Sequence, residues 1–519
     1  MKTAGLNQTE ELDEALANDE LPEGWANPRL EDCVEILDHL RVPVNSDERE
    51  RRKGSIPYYG ATGQVGWIDD YLFDEQLLLL GEDGAPFLDK GKSIAYIIQG
   101  KSWVNNHAHV LRALNGVATN QFIKYILDHH DFTDDVRGTT RLKLTQAEMR
   151  NISVPLPPLE EQKRIVAKIE ELLAEVNRVR ARLEKVAKIL KAFRQSVLAA
   201  ACSGRLTEDW REKNPGLDTA TNLLAAIRTK RRDRIEEAGL ARYREPCQPD
   251  ATLLPEIPEQ WEMASMDQLV CHVTSGSRGW AKYYTNSGPY FIRAENINTD
   301  TLSLESAAHV QPPAKAEGRR TYVERDDLLV TITGANVTKS AVVEIPLGEA
   351  YVSQHVALIR PAAPSMGKYL YLWTVSPLHG RAKLLRDAYG AGKPGLNLDN
   401  IRETPVGLPP IDEQKEIVRR VEALFKLADM IEKQVESATK RAERITQAIL
   451  AKAFRGELVP TEAELARREA RSYEPVPALL ERIKQERQEA SPRLNFKQAA
   501  SQSRRKLVAG KAGTSEAFT

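Results

Sequence analysis

The sequence predicts an α+β protein. Two similar mixed α/β globules are separated by two long helices that pair as an intramolecular antiparallel coiled coil. Three observations predict it. First, the stretch from Leu156 to Leu206, opening LPPLEEQKRIV and closing CSGRL, returns at Leu408 to Leu458, opening LPPIDEQKEIV and closing FRGEL. The copies align without a gap at an offset of 252 residues, with about a third of positions identical. A repeat of such a period sets the architecture before any local reading. Second, each copy carries an unbroken helical seam. Third, the segments that precede the two copies match each other in a weaker but ordered way.

Taken in order, residues 1–20 form a polar N-terminal segment. Six acids and no apolar run give no expectation of a signal peptide. The first globule spans 21–155 and opens on Pro22, Glu23, Gly24 and Trp25. The runs LFDEQLLLLGEDGA (Leu72 to Ala85) and KSIAYIIQG (Lys92 to Gly100) predict buried strands closed by glycine turns. NQFIKYILDHH (Asn120 to His130) predicts an amphipathic helix. The first long helix occupies 156–206, and a short helix with a linker follows over 207–255.

The second globule, 256–405, opens on the same P-E-x-W spelling at Pro258 and Trp261. DDLLVTITGA (Asp326 to Ala335) stands where the first globule has LLLLGEDGA. VSQHVALIR (Val352 to Arg360) matches VNNHAHVLR (Val104 to Arg112), and GKYLYLWTVS (Gly367 to Ser376) matches the helix near Tyr125. LNLDNI (Leu396 to Ile401) matches LKLT (Leu142 to Thr145), with two residues' difference in the run to the next motif. The second long helix spans 406–458, a short C-terminal helix 459–490, and a basic tail, expected to be disordered, 491–519.

The long helices rest on spacing. In the first, Ile165, Ile169, Leu172, Val176, Val179, Leu183, Val186, Leu190, Phe193 and Val197 alternate steps of four and three. In the second, Ile417, Val421, Leu424, Ala428, Ile431, Val435, Ala438, Ala442, Ile445 and Ile449 do the same. This is an a/d seam with no Gly or Pro inside, as a coiled coil requires. Pro157-Pro158 and Pro409-Pro410 mark the entrances, and Gly204 and Gly456 the exits. Some 44 residues per copy give rods of roughly 65 Å. A lone rod would leave its seam wet, so the two are expected to pack together.

Composition bounds the chemistry. With 519 residues and a formal net charge of -1, whole-chain charge offers no argument for a nucleic-acid partner, and any such argument must be local. The four cysteines, Cys33, Cys202, Cys247 and Cys271, form no CxxC pair, so neither zinc site nor disulfide framework is indicated. No stretch approaches the roughly 18 apolar residues of a membrane span, and the expectation is a cytoplasmic protein without a membrane. Phosphate-loop, GxSxG, HExxH, GxGxxG and N/D-P-P-Y/F patterns are all absent. Glu82 and Asp83 in GEDGA invite a metal reading, yet Asp-Gly turn chemistry accounts for them. His107 and His109 have no carboxylate at ligand spacing, so a polar-contact role is expected and no metal site.

The glycine-rich loops carry residues that suit base edges, since Arg and Lys fit guanine and Asn and Gln fit adenine. In the first globule these are Tyr58, Tyr59, Thr62, Gln64, Lys101, Asn105 and Asn106, with Arg141 and Lys143 further on. In the second they are Ser277, Arg278, Lys282, Tyr283, Arg293, Asn296 and Asn298, with Lys339, Lys393 and Asn397. Basic residues outnumber acids on the first rod, and a solvated face is the plainer account of them.

The duplicated LPP…EQK openings, the CSGRL and FRGELVP endings, IPYYGATGQVGWIDDYLFDEQLLLLGEDGA (Ile56 to Ala85) and GAGKPGLNLDNI (Gly390 to Ile401) together resemble the specificity (S) subunit of type I restriction-modification systems. The resemblance runs from Trp25 to about Pro460. It implies that the globules are target recognition domains, each reading half of a bipartite site in double-stranded DNA. It implies that the rods space them and dock two methyltransferase (M) subunits, which methylate adenine with S-adenosylmethionine. Two restriction (R) subunits would add ATP- and Mg-dependent translocation and cleavage. The chain itself would bind no cofactor and catalyse nothing. Divergence between the globules predicts unlike half-sites. The competing expectation is a coiled-coil adaptor whose globules bind proteins.

Overall fold

The structure is a computed structural model that describes residues 21–486 apart from 90, 217, 239–243, 250–255, 313–317 and 391–393. The polar segment 1–20, Lys393 and the basic tail lie outside the described residues. Two compact units make up the chain: residues up to Leu183 together with those from Ser437 on, and Glu184–Glu436. Each unit holds one globule and part of both long helices.

In the first unit, β1 (Val34–Ile36), β2 (Ile56–Gly60), β3 (Gly63–Ile68), β4 (Phe73–Asp74), β5 (Leu77–Gly81), β6 (Ala95–Ile98), β7 (Lys101–Val104) and β8 (Ala108–Ala113) form two four-stranded sheets. The sheet ordered β1-β8-β5-β6 is antiparallel; the sheet ordered β3-β2-β7-β4 contains the parallel pair β2/β7. Leu77 to Leu80 are fully buried, because β5 is an inner strand covered on both faces. That is why the run is continuously apolar rather than alternating. The helix α1 (Asn120–His129) starts where the Thr119 hydroxyl accepts from Phe122 N, and it buries Phe122, Ile123, Ile126 and Leu127. A short hairpin, β9 (Val136–Arg137) with β10 (Lys143–Leu144), leads into α2 (Gln146–Asn151) and the long α3 (Leu159–Cys202).

The second unit repeats the plan. After α4 (Ala220–Ala238) come β11 (Glu262–Ser265), β12 (Val270–Ser275), β13 (Tyr284–Ile292), β14 (Ala308–Val310), β15 (Leu328–Thr331), β16 (Ser340–Val342), β17 (Ala350–Val352), β18 (Val356–Pro361) and β19 (Pro405–Leu408). The sheet β12-β18-β15-β16 corresponds strand for strand to β1-β8-β5-β6. The sheet β14-β13-β17 corresponds to β3-β2-β7, including its parallel pair. Helices α5 (Gly367–Val375) and α6 (Leu398–Arg402) precede the long α7 (Ile411–Phe454); α8 (Glu462–Glu469) and a helical stretch over 476–486 follow it in the first unit. One expectation is corrected here. Thr145 caps α2 and Asn397 caps α6 at the same 252-residue offset as the long helices. The anticipated two-residue difference does not exist, because the capping residue, not the Leu-x-Leu spelling, is the equivalent position.

The long helices each run 44 residues without a break, about 66 Å. They lie antiparallel within each unit. In the first, Arg164 reaches Glu462 at 2.8 Å and Arg180 donates to Thr446 Oγ1 at 3.2 Å; in the second, Arg194 reaches Asp429 at 2.7 Å and Arg420 reaches Asp209 at 2.6 Å. Gly204 and Gly456 end them in the left-handed region at φ 73° and 74°. The helix ends are part of the globule cores. Ile165, Ile169, Leu450 and Phe454 pack with Phe122 and Leu80, and Val197, Cys202, Ile417 and Val421 pack with Trp261 and Trp373.

Of the seam positions, Ile165, Ile169, Val176, Leu190, Val197, Ile417, Val421, Ala428 and Ala442 are buried. Leu172, Leu183, Val186, Phe193, Leu424, Ile431, Val435, Ala438 and Ile449 are half-buried, as a two-helix pair without further cover leaves them. Val179 and Ile445 do not belong to the seam, being 45% and 44% exposed. The departure is local, since Leu190 and Val197 further along the same repeat are buried again. The next residues, Arg180 midway along α3 and Thr446 about two turns from the end of α7, are half-buried and hydrogen-bonded to each other instead.

Candidate nucleic-acid interface

Each globule builds the same backbone junction from three segments. In the first, β2 and β7 end side by side, with Asn105 N donating to Tyr59 O at 3.0 Å. The turn beyond β7 carries Asn106 and His107, and the His107 carbonyl accepts from Glu82 N at 2.8 Å, just past β5. The β9/β10 hairpin closes the third side: Gly84 N donates to Leu142 O at 3.0 Å and Leu144 N to Glu82 O at 2.8 Å. In the second globule the bonds run from Ser353 N to Ile292 O (2.8 Å), Ile332 N to His355 O (2.9 Å), Gly334 N to Pro394 O (3.0 Å) and Leu396 N to Ile332 O (2.8 Å). Gly84 and Gly334 take φ values of 68° and 97°, where a β-carbon is disfavoured, so glycine lets each strand end turn beneath the hairpin.

The sequence-predicted residues divide at this junction. In the first globule Thr62, Gln64, Asn106, Arg141 and Lys143 are exposed around it, with Tyr59 half-buried behind them. Lys101 stands at the opposite end of β7, its ammonium 4.6 Å from the Tyr71 ring centroid. Tyr58 and Asn105 are corrections. Tyr58 is 1% exposed and its hydroxyl donates to Val44 O, while Asn105 is 8% exposed and its Oδ1 accepts from His107 N at 2.8 Å. Both shape the turn from beneath and present nothing to solvent.

In the second globule a groove of about 320 Å³ opens beside the junction, lined by Ser277, Trp280, Tyr284, Arg293, Gln354 and His355. Trp280 and Phe291 stack within it at 5.2 Å. Arg278, Lys282 and Asn298 are exposed, and Tyr283 is half-buried against Trp280. Asn296 is a further correction: it is 1% exposed, and its Oδ1 accepts from Arg293 N at 2.9 Å. Asn397 spends its side chain on capping α6, and Lys339 sits 3.6 Å from Asp300.

Beneath the first junction lies a polar core that sequence spacing gave no sign of. His109, 1% exposed, places Nδ1 2.6 Å from Asp38 and Nε2 3.1 Å from Leu144 O. Asp38 also accepts from Val110 N at 2.8 Å and Gln146 Nε2 at 3.0 Å. Burial pushes the Asp38 carboxyl up, but the hydrogen bond and charge of His109, the Val110 amide and Arg41 outweigh it and hold its pKa below the ordinary value. Glu82 completes the group, with Arg41 at 2.6 Å and Lys143 at 3.1 Å. Asp83 pairs with Arg141 at 2.8 Å and His107 at 2.7 Å. Ligand-type atoms of Asp38, Glu82 and His109 lie within 4.8 Å of one another, yet both carboxylates are already matched by cations, which makes this a salt-bridged core.

Against known proteins, the family model described as "Type I restriction modification DNA specificity domain" matches residues 22–188 and 258–440, one match per globule with its helix. The chain belongs to this family. Its relatives include the type I restriction enzyme EcoBI specificity subunit of Escherichia coli, 34% identical over 61% of this chain and 60% of that subunit. The EcoDI specificity subunit of Escherichia coli is 28% identical over 84% and 89%. The EcoKI specificity subunit of Escherichia coli strain K12 is 30% identical over 65% and 64%. The matches thus cover somewhat under two thirds of the EcoBI and EcoKI subunits. A chain from a solved type I R-M system shares the fold at a TM-score of 0.60 and 18% identity, covering 85% of this chain and 100% of that one. The two globules are the family's two DNA specificity domains, and a protein-binding adaptor is not favoured. Among the described residues no helix is long and apolar enough to cross a membrane.

Each specificity domain is fastened to the long helices by a feature spelled in the repeat but not read from it. In the EEQ and DEQ openings, Glu161 and Glu413 are fully buried. The Trp25 indole donates to Glu161 Oε1 at 2.9 Å, and the Trp261 indole to Glu413 Oε2 at 3.0 Å. The other oxygen of Glu161 accepts from Glu462 N at 2.7 Å, where α8 begins. That of Glu413 accepts from the Thr207 hydroxyl at 2.7 Å and from Arg211. Burial pushes the Glu161 pKa up, and the donors from Glu462, Trp25 and Arg164 only partly offset it. The adjoining Gln162 accepts from Thr119 N and donates to Val117 O, tying the start of α1 to α3. The P-E-x-W and EQ spellings recurring together were the available signal.

Proposed function

We propose that this chain is the DNA-reading specificity subunit of a type I restriction-modification assembly. Each domain reads one half of a bipartite, asymmetric target in double-stranded DNA. The paired helices set the spacing and dock two M subunits, and through them two R subunits. S-adenosylmethionine serves the M subunits and ATP with Mg the R subunits; this chain contributes position rather than chemistry. The observation that carries the reading is the double match to the specificity-domain family, one match on each copy of the same junction. Two copies of one backbone plan with unlike side chains suit two unlike half-sites.

Thr62, Gln64, Asn106, Arg141 and Lys143 in one domain, and Ser277, Arg278, Lys282, Tyr283, Arg293 and Asn298 in the other, are the proposed DNA-facing set. The test is exchange of residues 25–155 for the first domain of another specificity subunit, with mapping of methylated adenines in cells carrying the M partner. The expected result is a new first half-site beside an unchanged second one. A change in both halves, or no bipartite methylation by the unaltered complex, refutes the reading.

A further inference from the structure

The two junctions share one backbone frame and differ in the side chains set on it. Strand pairing, the glycine turn and the hairpin hydrogen bonds recur bond for bond, so the turn past β7 and the turn past β17 occupy one position in two copies of a frame. On that frame the first copy places Asn106 and His107, the second Gln354 and His355. A turn whose backbone is braced by hydrogen bonds fixes where its side chains begin before any ligand arrives, which favours selective recognition.

The chemistry at these turns is that of purine edges. A carboxamide offers a donor and an acceptor together, the pair that matches adenine N7 and N6 in the major groove, and guanidinium or protonated imidazole suits the acceptors of guanine. In the second copy, Gln354 Oε1 and Arg293 Nε are shielded from solvent, line the groove, and make no hydrogen bond among the described residues. Unmet buried polar atoms are costly, and a base edge entering the groove would supply a donor to one and an acceptor to the other. In the first copy, Asn106 is exposed, as is Arg141 on the hairpin that closes the same junction, where it reaches Asp83 at 2.8 Å.

We infer that the turn Asn106–His107 in the first domain and the turn Gln354–His355 in the second are equivalent reading positions, each contacting the major-groove edge of a purine in its own half-site. The inference rests on the proposed function and narrows it from two surfaces to two turns.

The experiment uses the full chain in complex with its M partner and maps methylated adenines genome-wide. N106A is expected to relax recognition at one base pair of the first half-site, by about tenfold or more, and to leave the second unchanged. Q354A is expected to do the reverse. Q354N, which keeps the amide, is expected to retain part of the second-half discrimination. Unchanged specificity in N106A and Q354A, relaxation of both halves by either, or equal loss in Q354A and Q354N overturns the assignment while the proposed function stands. Failure of the unaltered complex to methylate any bipartite site removes the proposed function, and the inference with it.

Discussion

Replacing Glu413 with alanine should loosen the second unit more than any surface change on the same helix. Glu413 is fully buried and accepts from three donors: the Trp261 indole, the Thr207 hydroxyl and the Arg211 guanidinium. Trp261 is 4% exposed, Thr207 is fully buried, and the Arg211 side chain is 14% exposed, so none of the three gains water easily when the carboxylate goes. Removing one partner of a buried ion pair costs about 3–5 kcal/mol, and stranded neutral donors add toward the upper end. For a unit of this size each kcal/mol moves the melting midpoint by about 2–4 °C, so a fall of about 10 °C is expected. E413Q keeps the shape and one acceptor oxygen and should lose about half as much. The assay is thermal and urea unfolding of the full chain, followed by tryptophan near-UV signal, with the exposed Lys433→Ala as control. An E413A transition indistinguishable from that of K433A would refute the claim that this carboxylate fastens the domain to its helix.

Two further perturbations follow from burial and charge. Val176→Asp places a charge where 8% exposure leaves little water and should cost about 3 kcal/mol, whereas Val179→Asp at a 45% exposed site should stay within about 0.5 kcal/mol; equal effects in urea titrations would restore a strict seven-residue seam. Asp38 has a folded pKa below its ordinary 3.8, so its contribution is fully present above that value and is lost as pH falls through the folded one. Midpoints measured from about pH 6 down to about pH 2 should therefore show a shallower acid limb in D38N than in the native chain, and parallel limbs would contradict the polar core around His109.

The parts of this fold legible in the sequence are those carried by periodicity. The alternation of four and three placed both rods to within a few residues. The run Leu77 to Leu80 declared a strand buried on both faces. What sequence could not yield was anything held by hydrogen bonds between distant residues. Asp38 meets His109 across 71 positions, and no spacing rule pairs them. Asn105 and Asn106 are neighbours of one type, yet one braces the turn and the other faces solvent; composition treats them alike, and only their places in the turn past β7 separate them. The same holds for Tyr58 and Tyr59, whose side chains fall on opposite faces of β2. The local departure of Val179 and Ile445 from the seam was not legible either, because the four-and-three spacing runs unbroken through both positions.

The pairing of tryptophan with glutamate explains what the repeat kept. Both copies retain a tryptophan after a Pro-Glu turn and a glutamate in the first turn of the rod, because each requires the other: a buried indole N–H needs an acceptor, and a buried carboxylate needs donors. The second oxygen is under no such mutual constraint. In the first unit it takes a main-chain N–H at Glu462, which any residue but proline would provide; in the second it takes the side chains of Thr207 and Arg211. A backbone donor leaves no mark on the sequence, whereas side-chain donors do. The segments after the rods, RLTEDW and ELVPTEAE, could therefore diverge while serving one acceptor, and the identity that survives marks the indole and the carboxylate rather than the chain that closes over them.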